Sequence, residues 1–156
     1  AGLTAPEHNG RVEECGDILH DTTQTVLNIL KKDDDGFFLM VEGSQINWGG
    51  NQNNTIYIVQ EMLDFDKAIS KALEFVALNG ETLIVVTSYH ETGGFALLSG
   101  GMETSIVKGG FVSGGHIGVK VPVFTYGLSA WNFFGIYENT AIFEKIKSLM
   151  ISRNNH

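Results

Sequence analysis

Two places in this chain join a strongly apolar run to a single group able to do chemistry. Phe37-Phe-Leu-Met-Val41 leads directly into Glu42, and Thr82-Leu-Ile-Val-Val-Thr87 leads, one residue later, into Tyr89-His90. A carboxylate ending a buried strand is costly unless a cation or a hydrogen-bonding turn satisfies it. A histidine at such an end is a metal ligand or a structural residue, and the local sequence leaves both open. In open α/β sheets functional groups gather beyond the carboxyl ends of the strands. Glu42 and the Tyr89-His90 pair are therefore expected to share one site.

The elements that must position these groups follow from periodicity. Residues 1–11 read as a turn-rich arriving loop. From Val12 to Lys32, Cys15, Ile18, Thr22, Val26, Ile29 and Leu30 recur at helical spacing. Asp33-Asp-Asp-Gly36 is a solvated turn whose later spacing does not fit a calcium loop. Phe37–Val41 reads as a strand buried on both faces, and the glycine-rich stretch after Glu42 as a turn. Glu61–Leu78 is the next helix, with Met62, Phe65, Ile69, Ala72, Leu73 and Val76 on its apolar side, stopped by Asn79-Gly80. Thr82–Thr87 is a second buried strand, and strand, helix, strand predicts a right-handed crossover and a parallel pair. Gly93–Gly115 suggests short antiparallel strands and loops. Val121–Tyr126 reads as a strand with Pro122 at its start or edge, and Ile142–Ile151 as a closing amphipathic helix. The expected architecture is one α/β domain over residues 1–156, with a mostly parallel sheet and helices on its faces.

Composition narrows the function. A chain of 156 residues, 43% hydrophobic and 18% charged, is that of a folded domain. A net charge of −8 argues against a nucleic-acid surface. The single cysteine, Cys15, excludes an internal disulfide and a cysteine-based zinc site. No apolar run reaches the roughly 20 residues needed to span a bilayer. His8, His20 and His156 read as surface residues. Trp48, Trp131, Phe133 and Phe134 read as packing residues, and Asn51-Gln-Asn-Asn54 as a solvated loop.

Five stretches together resemble the alkaline phosphatases. Phe37-Phe-Leu-Met-Val-Glu-Gly-Ser-Gln-Ile-Asn-Trp-Gly-Gly-Asn51 is similar to the family's metal-binding strand. Tyr57–Ile69 resembles the helix that follows it, and Val85-Val-Thr-Ser-Tyr-His-Glu-Thr-Gly-Gly94 resembles the family's Val-Thr-Ala-Asp-His-Glu-Thr-Gly-Gly. Gly114–Val119 with Val121–Gly127, and Tyr137-Glu-Asn-Thr140, resemble the end of the site and the start of the last helix. The resemblance implies the C-terminal portion of a phosphate-monoester hydrolase that uses two zinc ions and one magnesium. In such a site one zinc activates a serine hydroxyl or water, and the other stabilises the departing oxygen.

Residue by residue, the resemblance makes Glu42 the magnesium-ligand position and His90 a ligand of the zinc nearer the nucleophile. His116 becomes the last histidine of the other zinc. Asn47 and Asn51 stand where that second zinc has an Asp and a His, and Tyr89 stands where the first has an Asp. A neutral amide is a poor zinc donor, and a phenol with a pKa of about 10 is a reluctant one. No tightly bound zinc pair is expected. The family's first half, with its serine nucleophile, has no counterpart here, and Ser44 matches a structural position instead. Little or no turnover is therefore expected. The alternatives are a non-catalytic binding or assembly domain, or a half that works when complemented by a separate N-terminal half. The resemblance further implies a phosphorylated small molecule as ligand, a periplasmic or extracellular location, and a homo-oligomer or a missing half as partner. Self-association follows from apolar surface that a half-fold leaves bare, with Gly93–Gly115 the first place to find altered structure.

Overall fold

The computed structural model describes residues 5 and 7–152, so that Pro6 and His156 lie outside the described residues. Its elements in chain order are α1 (Val12–Cys15), α2 (Ile18–Leu30), α3 (Ser44–Asn51), α4 (Thr55–Asn79), β1 (Leu83–Val86), β2 (Ala96–Gly101), β3 (Ile106–Gly110), β4 (Phe124–Gly127), a 3-10 turn (Ala130–Phe133) and α5 (Thr140–Ser152).

Helix α4 is the axis on which the rest is placed. Asn54 caps it by accepting the Tyr57 N–H at 3.1 Å, and Gly80 ends it in the left-handed conformation at φ 67°. Against it lie α2 and α3, and between them sit the buried apolar residues Leu27, Tyr57, Ile58, Ala68 and Val76. Burying a side chain such as Leu27 contributes about 1.5–3 kcal/mol.

The expected single helix over Val12–Lys32 is two helices. Gly16 turns the chain with φ 64° and ψ −143°, which breaks the ladder between α1 and α2. The glycine-rich stretch after Glu42, expected to be a turn, is helix α3. Gly49 and Gly50 serve close packing there: a Cβ on Gly50 would lie 2.9 Å from Thr92, including its backbone carbonyl. The buried face of α4 is also rotated from the expected one. Glu61 and Asp64 are buried while Met62 and Leu63 are exposed, because Glu61 Oε1 accepts the Val12 N–H at 2.9 Å and the N-terminal segment covers that side.

β1 appears within the expected Thr82–Thr87, but its partner is β4, antiparallel, with Leu83 opposite Gly127 and Val86 opposite Phe124. β2 and β3 form the second sheet, an antiparallel hairpin in the expected glycine-rich region. Phe37–Val41 joins no ladder among the described residues, so the expected parallel pair is not formed. Its burial nevertheless alternates, with Phe37, Leu39 and Val41 half-buried and Phe38 and Met40 exposed, as in a strand. Of the expected packing aromatics, Phe133 is buried, whereas Trp131 and Phe134 are exposed and Trp48 is covered in part by the His8 ring at 4.6 Å. No described helix is long and apolar enough to cross a membrane.

Candidate functional site

The carboxyl end of β1 delivers Tyr89 and His90 to the loop 90–94, and glycine geometry ties this loop to 112–116. Gly93 donates its N–H to Gly115 O at 2.8 Å, and its own carbonyl accepts from Val112 and Ser113. At φ +87° and with Gly50 O at 2.9 Å from where a Cβ would stand, only glycine fits this junction. The junction brings His116 over His90, with ring centroids 3.6 Å apart and planes within 19°. Two histidines 26 positions apart in sequence are thus placed face to face.

Thr92 links this pair to α3. Its hydroxyl donates to Asn47 Oδ1 at 2.7 Å and lies 3.2 Å from His90 Nδ1. His90 Nδ1 is also 3.1 Å from Glu91 O. A carbonyl only accepts, so Nδ1 is the donor in that contact and Nε2 is the nitrogen left to meet another group. Beneath, Glu91 Oε1 accepts the Phe95 N–H at 3.0 Å, while its Oε2 is buried without a partner.

The structure joins some of the sequence-derived positions and separates others. Thr92 joins His90 to Asn47, His116 stacks on His90, and the Tyr89 ring lies 6.3 Å from that of His90 with its side chain exposed. Asn51 ends α3 with an exposed side chain. Glu42 is elsewhere. It lines a recess of about 180 Å³ with His8, Cys15, Ser44, Glu61 and Asp64, and the lining includes neither His90 nor His116.

That recess holds acidic groups that periodicity did not single out. Burial pushes the Glu61 carboxyl above its usual range, partly offset by the Val12 N–H bond, and pushes Asp64 up as well. Asp64 Oδ1 has no hydrogen-bond partner. Cys15 is also raised, first by burial and then by the charges of Asp64 and Glu61, so it is a poor nucleophile. Thr92 was likewise missed, although the His-Glu-Thr-Gly-Gly motif contained it. For Glu61 and Asp64 the available signal was slight: two carboxylates three residues apart, on a helix that also carries Asp66, Lys67, Lys71 and Glu74.

A family profile described as alkaline phosphatase matches residues 6–108. The chain belongs to the alkaline phosphatase family. Alkaline phosphatase 3 of Bacillus subtilis is 28% identical over 208 residues, which cover 87% of this chain and 45% of that protein. Alkaline phosphatase H of Pseudomonas aeruginosa is 30% identical, covering 87% of this chain and 32% of its own. Among solved structures, the alkaline phosphatase of the Antarctic bacterium TAB5 is 42% identical, with a TM-score of 0.83 over 90% of this chain and 43% of that one. A substituted TAB5 enzyme, described with Mg bound in its M3 site, gives a TM-score of 0.87 over 95% and 46%. The chain therefore spans less than half the length of these relatives, and its α/β fold is that of an alkaline phosphatase.

A metal centre of the kind the family implies needs several anionic or imidazole donors converging on one point. Among the described residues no three His, Cys, Asp or Glu side chains are grouped so that they could hold a metal ion. The amide oxygen of Asn47 already accepts from Thr92. Lone pairs lie in the ring planes, and two nearly parallel planes 3.6 Å apart do not let them converge on one ion. The residues present do not fit the alkaline phosphatase zinc pair.

Proposed function

We propose that this chain carries the metal-ligand side of an alkaline-phosphatase-type site and by itself hydrolyses phosphate monoesters little or not at all. The observation that supports this is the composition of the site. By the resemblance Asn47, Asn51 and Tyr89 stand at three of the ligand positions, and His90 and His116 stack on each other beside a neutral Thr92–Asn47 hydrogen bond. An amide–hydroxyl bond can orient a side chain but cannot stabilise the charge that develops in phosphoryl transfer. By family, zinc and magnesium are the cofactors, a small phosphorylated molecule is the ligand, and the location is periplasmic or extracellular. Glu42 is the magnesium position of this reading. The test is hydrolysis of p-nitrophenyl phosphate by the purified chain with zinc and magnesium present. Turnover that scales with the chain and disappears with chelator would refute the reading.

A second reading, a half completed by a separate polypeptide, draws on the bare apolar surface. Phe38, Met40, Phe124 and Tyr126 are exposed on or beside the strand-like segments. In that reading activity returns only when the remaining part of the fold is supplied. A non-catalytic assembly domain would instead give a stable complex with no turnover under any metal condition.

A further inference from the structure

An asparagine followed by glycine loses its side-chain amide more readily than other pairs, because no side chain hinders the next main-chain nitrogen in reaching the amide carbon. The chain has two such pairs, Asn9-Gly10 and Asn79-Gly80, and the structure treats them in opposite ways. Asn79 is the last residue of α4, where the Gly80 N–H is bound to Val76 O at 2.8 Å. The Asn79 amide is held at both ends. Its Nδ2 donates to Thr82 Oγ1 at 3.0 Å, and its Oδ1 accepts the Glu81 N–H at 3.1 Å. Nitrogen and amide are both committed elsewhere.

Asn9-Gly10 lies outside any helix or strand, and Asn9 is exposed. Here the Gly10 N–H donates to His8 Nδ1 at 3.1 Å. A main-chain N–H only donates, so Nδ1 is the acceptor and turns its lone pair to that hydrogen. This is the reach of a general base, about 2.6–3.2 Å from the atom it deprotonates. Packing holds the base in place: the His8 ring meets Trp48 of α3 edge to face, with centroids 4.6 Å apart and planes at 75°. Gly10 is fixed at φ +79°, and the next N–H, that of Arg11, donates to Glu14 Oε2 at 3.2 Å. A Cβ at Gly10 would strike that carboxylate. Nucleophile and base are thus set side by side, next to an exposed amide.

We propose that Asn9 is a self-modification site, at which His8 acts as general base for intramolecular deamidation. His8 Nδ1 takes the Gly10 N–H proton as that nitrogen forms a bond to Asn9 Cγ. The Cγ–Nδ2 bond then breaks, and Nδ2 leaves as ammonia with the proton returned by the imidazolium. One water opens the resulting succinimide at either carbonyl, leaving aspartate or isoaspartate at position 9. Nothing is oxidised or reduced, and solvent water is the only co-reactant. Either product puts a carboxylate where a neutral amide stood, on the rim of the recess that Glu42, Glu61 and Asp64 line. Isoaspartate also lengthens the main chain by a methylene just before α1. The N-terminal segment thereby carries a slow, one-way change of charge.

The test incubates the full chain at neutral pH and follows both asparagines by peptide mapping with mass spectrometry, isoaspartate being scored by enzymatic methylation. A fully aligned base contributes about 100-fold or more, but bulk hydroxide also serves an exposed site, so Asn9 is expected to convert on the order of 10-fold faster than Asn79. In concentrated urea the two pairs lose their different surroundings, and their rates should converge. His8→Phe keeps an aromatic ring against Trp48 and removes the base. It is expected to slow Asn9 roughly 10-fold while leaving the urea midpoint unchanged. Added imidazole should then accelerate the variant by a larger factor than the unaltered chain, which a purely structural role of His8 would not produce. Conversion of Asn79 as fast as Asn9 in the folded chain would overturn the site. An unchanged Asn9 rate in His8→Phe, or equal acceleration of both proteins by imidazole, would overturn the role of His8.

Discussion

Zinc affinity is the quantity that separates an inherited frame from a working metal centre. Four-ligand structural zinc sites contribute about 10–16 kcal/mol near neutral pH, roughly 2.5–4 kcal/mol per ligand. The stacked pair offers two imidazoles, worth about 5–8 kcal/mol if both could bind one ion, or a dissociation constant between about 0.2 mM and about 1 µM. With the rings 3.6 Å apart and nearly parallel, both lone pairs reach one ion only if the stack opens, so the weak end of that range is expected. The perturbation is the triple change Asn47→Asp, Asn51→His and Tyr89→Asp. It adds three donors, but Asn51 is exposed at the end of α3 and position 47 is held by Thr92. Discounted to about one effective ligand, the gain is about 3 kcal/mol, on the order of 100-fold. Competition against a chromophoric zinc chelator reads both proteins. Nanomolar zinc binding by the unaltered chain, or no tightening in the triple variant, would refute the reasoning.

Gly93→Ala is expected to lower stability by about 1–3 kcal/mol in urea unfolding, because its φ of +87° and the nearby Gly50 carbonyl both exclude a Cβ. Thr92→Val should cost about 1–3 kcal/mol by leaving Asn47 Oδ1 without its donor, while Thr92→Ser should restore most of it. The buried Glu61 and Asp64 carboxyls have raised pKa values, so the folded chain binds more protons than the unfolded one just above their usual range. Their contribution is then fully present below the unfolded values and lost as pH rises through the folded ones. Urea midpoints at about pH 5.5 are expected to exceed those at pH 7, other carboxylates being held constant by comparison with Asp64→Asn, whose profile should be flatter. An identical slope in the variant would remove Asp64 from this account.

Much of the helical frame could be read from the chain because its signals are local. Gly80 ends α4 through its own capping chemistry, and the apolar spacing of α5 needs no distant partner. The start of α4 is the exception: apolar spacing puts it at Glu61 and Asn54 in a loop, whereas Asn54 caps a helix that begins at Thr55. Phe37–Val41 shows the opposite case. Its composition specifies a strand buried on both faces, but a strand exists only with a ladder partner, and none of the described residues supplies one. The pairing of β1 with β4 was illegible for the same reason, since register across 40 residues is set by the sheet and not by either segment.

The site divides along similar lines. His90 and His116 were named from their motifs, and the Gly93–Gly115 bond that stacks them could not be, because it depends on a positive φ packed against Gly50. Asn47 was read as a lost ligand, and the structure gives the amide a different task, accepting from Thr92. An aspartate at position 47 would accept the same hydroxyl and add a negative charge beside His90. By the resemblance, charge more than shape is therefore what separates Asn47 from the family's aspartate at this corner. With the hydroxyl contact kept and that one carboxylate absent, the corner has an ordered hydrogen bond but less of the negative field that two neighbouring divalent cations would need.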